Sequence, residues 1–199
     1  MNMMNFYVGN QKKICDEIKA WSKHALEVKN DNFNGLPACP FAKKAWKDDK
    51  VTIIFKESEH YQDLYTVIST FTDVHDLIII ADTCYKPLKE FHDYIDSLNE
   101  AIAEGLFIQK DIWLMGFHPE EEQEAVFEDG FEPLTDTLYA MIFVQRLSKL
   151  QESAEKLKKQ GYYKYFDKEL SSKQLYDRRE FFYRRLKNGN VKSKSSTVS

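Results

Sequence analysis

The chain has 199 residues, 43% of them hydrophobic, and a formal net charge of −4. This composition suits one folded domain with appendages, argues against wholesale disorder, and gives no global reason to expect nucleic acid as a partner. The three cysteines are a poor disulfide framework, and no apolar run approaches the ~20 residues that cross a bilayer. We therefore expect a soluble, cytoplasmic protein without a membrane partner.

Apolar spacing predicts helices and strands in alternation along most of the chain. The β-branched run 51–55 is typical of a buried strand, whereas 87–105 opens with proline and closes with glycine, as many helices do. In chain order, the predicted elements are helix 10–28, short helix 40–47, strand 51–55, helix 59–71, strand 77–81, helix 87–105, strand 112–117 and long helix 138–160.

The order strand, helix, strand, helix, strand implies right-handed crossovers between parallel strands. We therefore predict an α/β fold with a small, mainly parallel sheet of about three strands and covering helices. A ferredoxin-like α+β arrangement is the alternative. Residues 1–160 form the predicted domain, 161–187 a helical extension, and 188–199, which is rich in Lys, Ser and Asn, a disordered basic tail.

Cys39 is the first candidate functional residue, because Pro40 follows it directly. Proline fits the first position of a helix, so Cys39 is the predicted N-cap, close to the positive end of the helix dipole. A thiol in that setting, with Lys43 and Lys44 nearby, ionises more easily and can act as a nucleophile or metal ligand. The alternative is a small, buried capping residue without a chemical role.

Polar side chains follow the predicted strands, and ligands of open α/β sheets bind beyond the carboxyl ends of the strands. His118 ends the third predicted strand and is a candidate base or ligand. Asp82 and Glu120 are candidate carboxylates that orient a histidine or hold a metal. A short helix running antiparallel to the first strand brings Cys39 to the same edge, so we expect one shared site.

Several short motifs give the chain a resemblance to a known family. They are Cys39-Pro40-Phe41-Ala42, Phe91-His92-Asp93-Tyr94-Ile95, Phe117-His118-Pro119 and Val144-Gln145-Arg146. Over about residues 35–150 the chain resembles the bacterial family called domain of unknown function 1415. The resemblance implies a site that contains the motif cysteine and histidine, without naming a reaction. The chain departs from the family pattern at 120–136, which is acidic here.

Two classes of function follow from these residues. In a small enzyme, Cys39 attacks as a thiolate with His118 as its proton-transfer partner, or the two hold zinc or iron together with Glu120 or Asp82. The substrate is then a small molecule or peptide that the sequence does not identify. In a non-catalytic interaction protein, the acidic segment 120–136 and the basic C-terminal segment recruit partners or self-associate.

The basic segment 178–185 interleaves arginines with aromatic residues. Such a segment can stack on and pair with a nucleic acid. We favour an amphipathic helix whose aromatic residues dock while its arginines face water, because the rest of the chain is acidic. Nucleic acid is therefore not an expected partner. Cys84 and His92 are expected to be packing or surface residues.

Overall fold

The computed structural model describes residues 3–104, 111–121, 137–164 and 176–187. Within these ranges we find no helix whose length and apolar composition would let it span a bilayer. A π-helical turn and a 3-10 turn accompany the regular elements. These are α1 Met3–Trp21, β1 Lys29–Asn30, β2 Leu36–Pro37, α2 Ala42–Lys47, β3 Val51–Lys56, α3 Gln62–Thr70, β4 Leu77–Asp82, α4 Leu88–Glu104, β5 Trp113–Phe117, β6 Ala140–Gln145, α5 Leu147–Lys159 and α6 at 176–187.

The main sheet has four strands in the order β3-β4-β6-β5. β3 and β4 pair in parallel through the crossover helix α3, whereas β6 is antiparallel to both of its neighbours. β3, β4 and β5 therefore all point the same way, and the three strands predicted from sequence are present. The predicted α/β class is confirmed. β1 and β2 form a separate two-stranded antiparallel sheet.

Strand β6 corrects one prediction, because the expected helix 138–160 is wrong over its first part. The helical spacing of Leu138, Ile142 and Leu147 suggested one long helix, but Ala140–Gln145 is a strand and α5 begins only at Leu147. Between them Arg146 has an extended backbone. A strand buried on both faces and paired on both edges is apolar at nearly every position, so its periodicity does not distinguish it from a buried helix.

Helices cover both faces of the sheet, and the alternation of side chains along β4 assigns them. Ile78 and Ile80 pack in one core cluster with α3 and α4. Ile79 and Ala81 point to the other face and pack with α1 and with Trp46 of α2. This three-layer arrangement leaves the two ends of the strands as the places where polar groups can gather.

The C-terminal helix α6 docks on the domain through an aromatic residue. Phe182 is 4% exposed and packs against Trp113 with ring centroids 5.7 Å apart. Residues 176–187 are helical, but the predicted division of faces holds only in part, since Phe182 docks while Phe181 is exposed and Arg179 is buried. The division into a domain, an extension and a tail stays a prediction, since 122–136 and 188–199 lie outside the described residues.

Candidate functional site

The carboxyl edge of the sheet, where β3, β4 and β5 end, carries a fully buried ion pair. Lys56 and Asp82 are register partners in the parallel pair. The Lys56 Nζ donates to both Asp82 carboxylate oxygens at 2.9 and 3.0 Å, and both side chains are 1% exposed. The Tyr61 ring lies 5.4 Å from that ammonium. Burial raises the pKa of Asp82, opposed by Lys56 and by the backbone N–H of Cys84.

His118 lies at the same edge, one residue after β5, and is 1% exposed. Its Nδ1 accepts from the backbone N–H of Glu120 at 3.1 Å, so its Nε2 carries the proton and donates to the carbonyl of Lys86 at 2.9 Å. The rings of Tyr85 and Phe91 pack around it. Both ring nitrogens form hydrogen bonds with backbone groups, so His118 links the end of β5 to the loop between β4 and α4.

His92 and Glu121 form a second, accessible pair beside His118. The His92 Nε2 lies 3.2 Å from the Glu121 Oε1, and the side chains are 36% and 41% exposed. The buried Nε2 atom of His92 has no hydrogen-bond partner among the described residues, so we describe the contact as an ion pair. The other carboxylate oxygen of Glu121 accepts from the backbone N–H of His118 at 3.1 Å. Glu121 is therefore held in place while it faces the histidine.

The charges of this pair favour its ionised form. Contact with Glu121 raises the pKa of His92, burial lowers it, and Asp96 and Asp93 raise it further, for a net increase. Burial raises the pKa of Glu121, but His92 and the backbone N–H of His118 outweigh it, so the pKa is lowered overall. An imidazolium beside a carboxylate is the arrangement that moves a histidine into the physiological range.

Cys39 lies in a different environment from the one predicted. Its backbone N–H donates to the Leu26 carbonyl at 2.9 Å, and its own carbonyl accepts from the backbone N–H of Ala42 at 3.1 Å. The prediction that Cys39 is the N-cap of the helix that follows is wrong, because α2 begins at Ala42 and its N-cap is Phe41. The backbone N–H groups of Phe41 and Ala42 lower the pKa of the Cys39 thiol. Burial raises the pKa of the Cys39 thiol and outweighs these contacts, so the expectation that this thiol ionises easily is wrong.

Among the described residues, no hydrogen bond or ring contact joins Cys39 to His118. Glu120 is exposed and reaches His118 through its backbone N–H. In the described ranges, no group of three or more His, Cys, Asp or Glu residues could hold a metal ion. A Cys39–His118 site and a zinc or iron centre stay predictions.

Sequence reasoning missed His92 and Glu121, because their pairing depends on the tertiary approach of α4 to the end of β5. One signal was present, since His92 belongs to one of the motifs that carry the family resemblance.

The chain matches no family model, no curated protein and no solved structure in the comparisons made. The resemblance to domain of unknown function 1415 therefore stays a prediction.

Proposed function

We propose that the protein is a small enzyme that binds its substrate at the carboxyl edge and uses His92, paired with Glu121, as its general acid–base group. The supporting observation is the His92–Glu121 ion pair, accessible and held at 3.2 Å. A histidine oriented by a carboxylate is a recurrent proton-transfer unit. The His92 side chain is 36% exposed, so a substrate can reach it.

The location of the pair also supports a site. Ligands of α/β sheets bind at the carboxyl ends of the strands, and the pair lies where β5 ends. His118 positions Glu121 through its backbone N–H and the β4–α4 loop through its Nε2. The Lys56–Asp82 ion pair links the ends of β3 and β4. The proposed mechanism assigns no step to Cys39. The substrate class remains the predicted one, a small molecule or peptide.

The test is a turnover screen with chromogenic esters, thioesters, phosphate esters and peptide anilides between pH 5 and 9. We expect turnover of at least one class, a loss of about a hundredfold or more in His92→Gln, and a smaller loss in Glu121→Gln. His24→Gln, which changes an exposed histidine near the end of α1, is the matched control and keeps full activity. No turnover of any class, or turnover that His92→Gln leaves unchanged, contradicts the proposal.

The three cysteines are free, which supports a reducing compartment such as the cytoplasm as the proposed location. The predicted interaction protein stays the alternative. Its basic segment is partly used within the chain, because Arg178 and Arg185 of α6 pair with carboxylates of α4. This leaves less positive charge for an external partner.

A further inference from the structure

Helix α6 contacts α4 through two arginine–carboxylate ion pairs. Arg178 contacts the Asp96 carboxylate at 2.7 Å, and Arg185 contacts that of Glu104 at 3.1 Å. Each arginine also lies over a phenylalanine of its own helix, at 5.7 and 5.4 Å. The two pairs differ in what lies beside them. Asp96 is one helical turn from His92, whereas Glu104 is three turns away.

The charge on Asp96 is the part of this environment that depends on α6. Asp93, the other carboxylate of α4 near His92, is paired with Lys89 of the same helix. Asp96 instead takes its counter-ion from α6. Within the described residues, the charged and titratable groups around the pair are Glu121 and His118 from the end of β5, Lys89, Asp93 and Asp96 from α4, and Arg178 from α6.

We propose that Arg178 is a positioning residue for the acid–base pair, which it influences by neutralising Asp96, so that docking of α6 completes the environment of His92. The reason is electrostatic. An unpaired Asp96 carboxylate favours the protonated imidazole one turn away, and an arginine bound to that carboxylate reduces the effect. The functional consequence rests on the proposed role of His92, but the coupling itself does not need a substrate.

The experiment follows the titration of His92 by NMR in the full-length chain at low ionic strength. In Arg178→Gln we expect roughly a twofold increase in the proton affinity of His92, the size typical of a partly exposed charge pair. Arg185→Gln is the matched control, since it loses an equivalent ion pair and ring contact farther from His92, and it leaves the titration unchanged. Equal shifts in both variants, or none in Arg178→Gln, overturn the proposal.

Repeating the Arg178→Gln substitution in an Asp96→Asn variant separates an effect through the Asp96 charge from a weaker general docking of α6. Asp96→Asn lowers the proton affinity of His92, and adding Arg178→Gln to that variant changes it no further. A residual shift in the double variant contradicts a route through Asp96. The titration is independent of turnover. An inactive protein that shows the shift overturns the proposed function only, whereas an active protein without the shift overturns this inference only.

Discussion

The ion pair between Lys56 and Asp82 places two full charges out of contact with water at the end of neighbouring parallel strands. Transferring these charges from water costs more than their attraction returns unless every polar atom is satisfied. Here the carboxylate also accepts from the backbone N–H of Cys84 at 2.9 Å, and Tyr61 lies over the ammonium. The pair therefore ties the two loops that leave β3 and β4 to one position.

Removing one member of this pair leaves the other charge buried and uncompensated. We expect Lys56→Met to lower the free energy of unfolding by about 3–5 kcal/mol. The double variant Lys56→Met/Asp82→Leu removes both charges, so we expect it to recover more than half of that loss. Urea denaturation at pH 7 measures both variants. A double variant as unstable as the single one would show that the pair is not held by mutual compensation.

The His92–Glu121 pair predicts a pH-dependent contribution to stability. The pKa of His92 is raised from its ordinary 6.5, so its contribution is complete below that value and is lost as the pH rises through the folded-state pKa. The pKa of Glu121 is lowered from 4.5, so its contribution is complete above that value and is lost on acidification through its folded-state pKa. The pair therefore contributes most between these two ordinary values.

His92→Gln tests this window by comparing its free energy of unfolding with that of the wild type at pH 5.5 and 8.5. We expect the wild type to be more stable by no more than about 0.5 kcal/mol at pH 5.5, because both groups are over a third exposed and water screens them. The difference should vanish at pH 8.5. A difference that grows with pH would have the wrong sign for an imidazolium–carboxylate pair.

Helix α4 serves the core and the candidate site together. Its apolar face, which includes Phe91 and Ile95, packs on the sheet, while its outer face carries His92 and the carboxylates that bind α6. The approach to β5 is close at Gly116. A Cβ added there would lie 2.5 Å from both the Ile95 Cδ1 and the Phe91 Cε1. Glycine therefore sets how near α4 comes to the end of β5.

Gly116→Ala tests that approach. Overpacking forces α4 outwards, so we expect a loss of about 1–3 kcal/mol in the free energy of unfolding. The shift also separates His92 from Glu121, and the NMR titration of His92 should then move towards its ordinary value. Adding Ile95→Val removes the Cδ1 methyl and should recover part of both effects. An unchanged free energy of unfolding in Gly116→Ala would contradict this, because it would mean that the Phe91 ring can move to admit the methyl group without destabilising the core.

Local sequence patterns predicted most elements of the fold but only part of the candidate site. β3, β4 and α4 have unambiguous periodicity, and their predicted bounds lie close to the observed ones. β6 was missed because a central strand loses its alternation. At the site, the edge at Asp82 and His118 was predicted from strand order. The partners of His92 and Cys39 come from other elements and depend on tertiary packing, which no local pattern encodes.

On the scale of the whole molecule, α6 packs over the core residues Trp113 and Leu147. Phe182 packs in a cluster with Trp113 and with Leu147 of α5. Two arginines of α6, Arg178 and Arg185, pair with the α4 carboxylates of Asp96 and Glu104. Part of the positive charge of the basic segment is therefore paired within the described residues, whereas the acidic segment 122–136 and the tail 188–199 lie outside them.

Two truncations separate these segments. Removal of 188–199 should leave the melting temperature nearly unchanged, because the tail has few apolar residues to offset the entropy of ordering it. Removal of 176–199 also uncovers Trp113 and should lower the melting temperature sharply. Phe182→Ala in the full chain is the matched point variant, with an expected loss of about 3–5 kcal/mol. Thermal unfolding followed by circular dichroism measures all three. A large effect of the shorter truncation would show that the tail docks, and a mild effect of the longer one would show that α6 contributes little to the core.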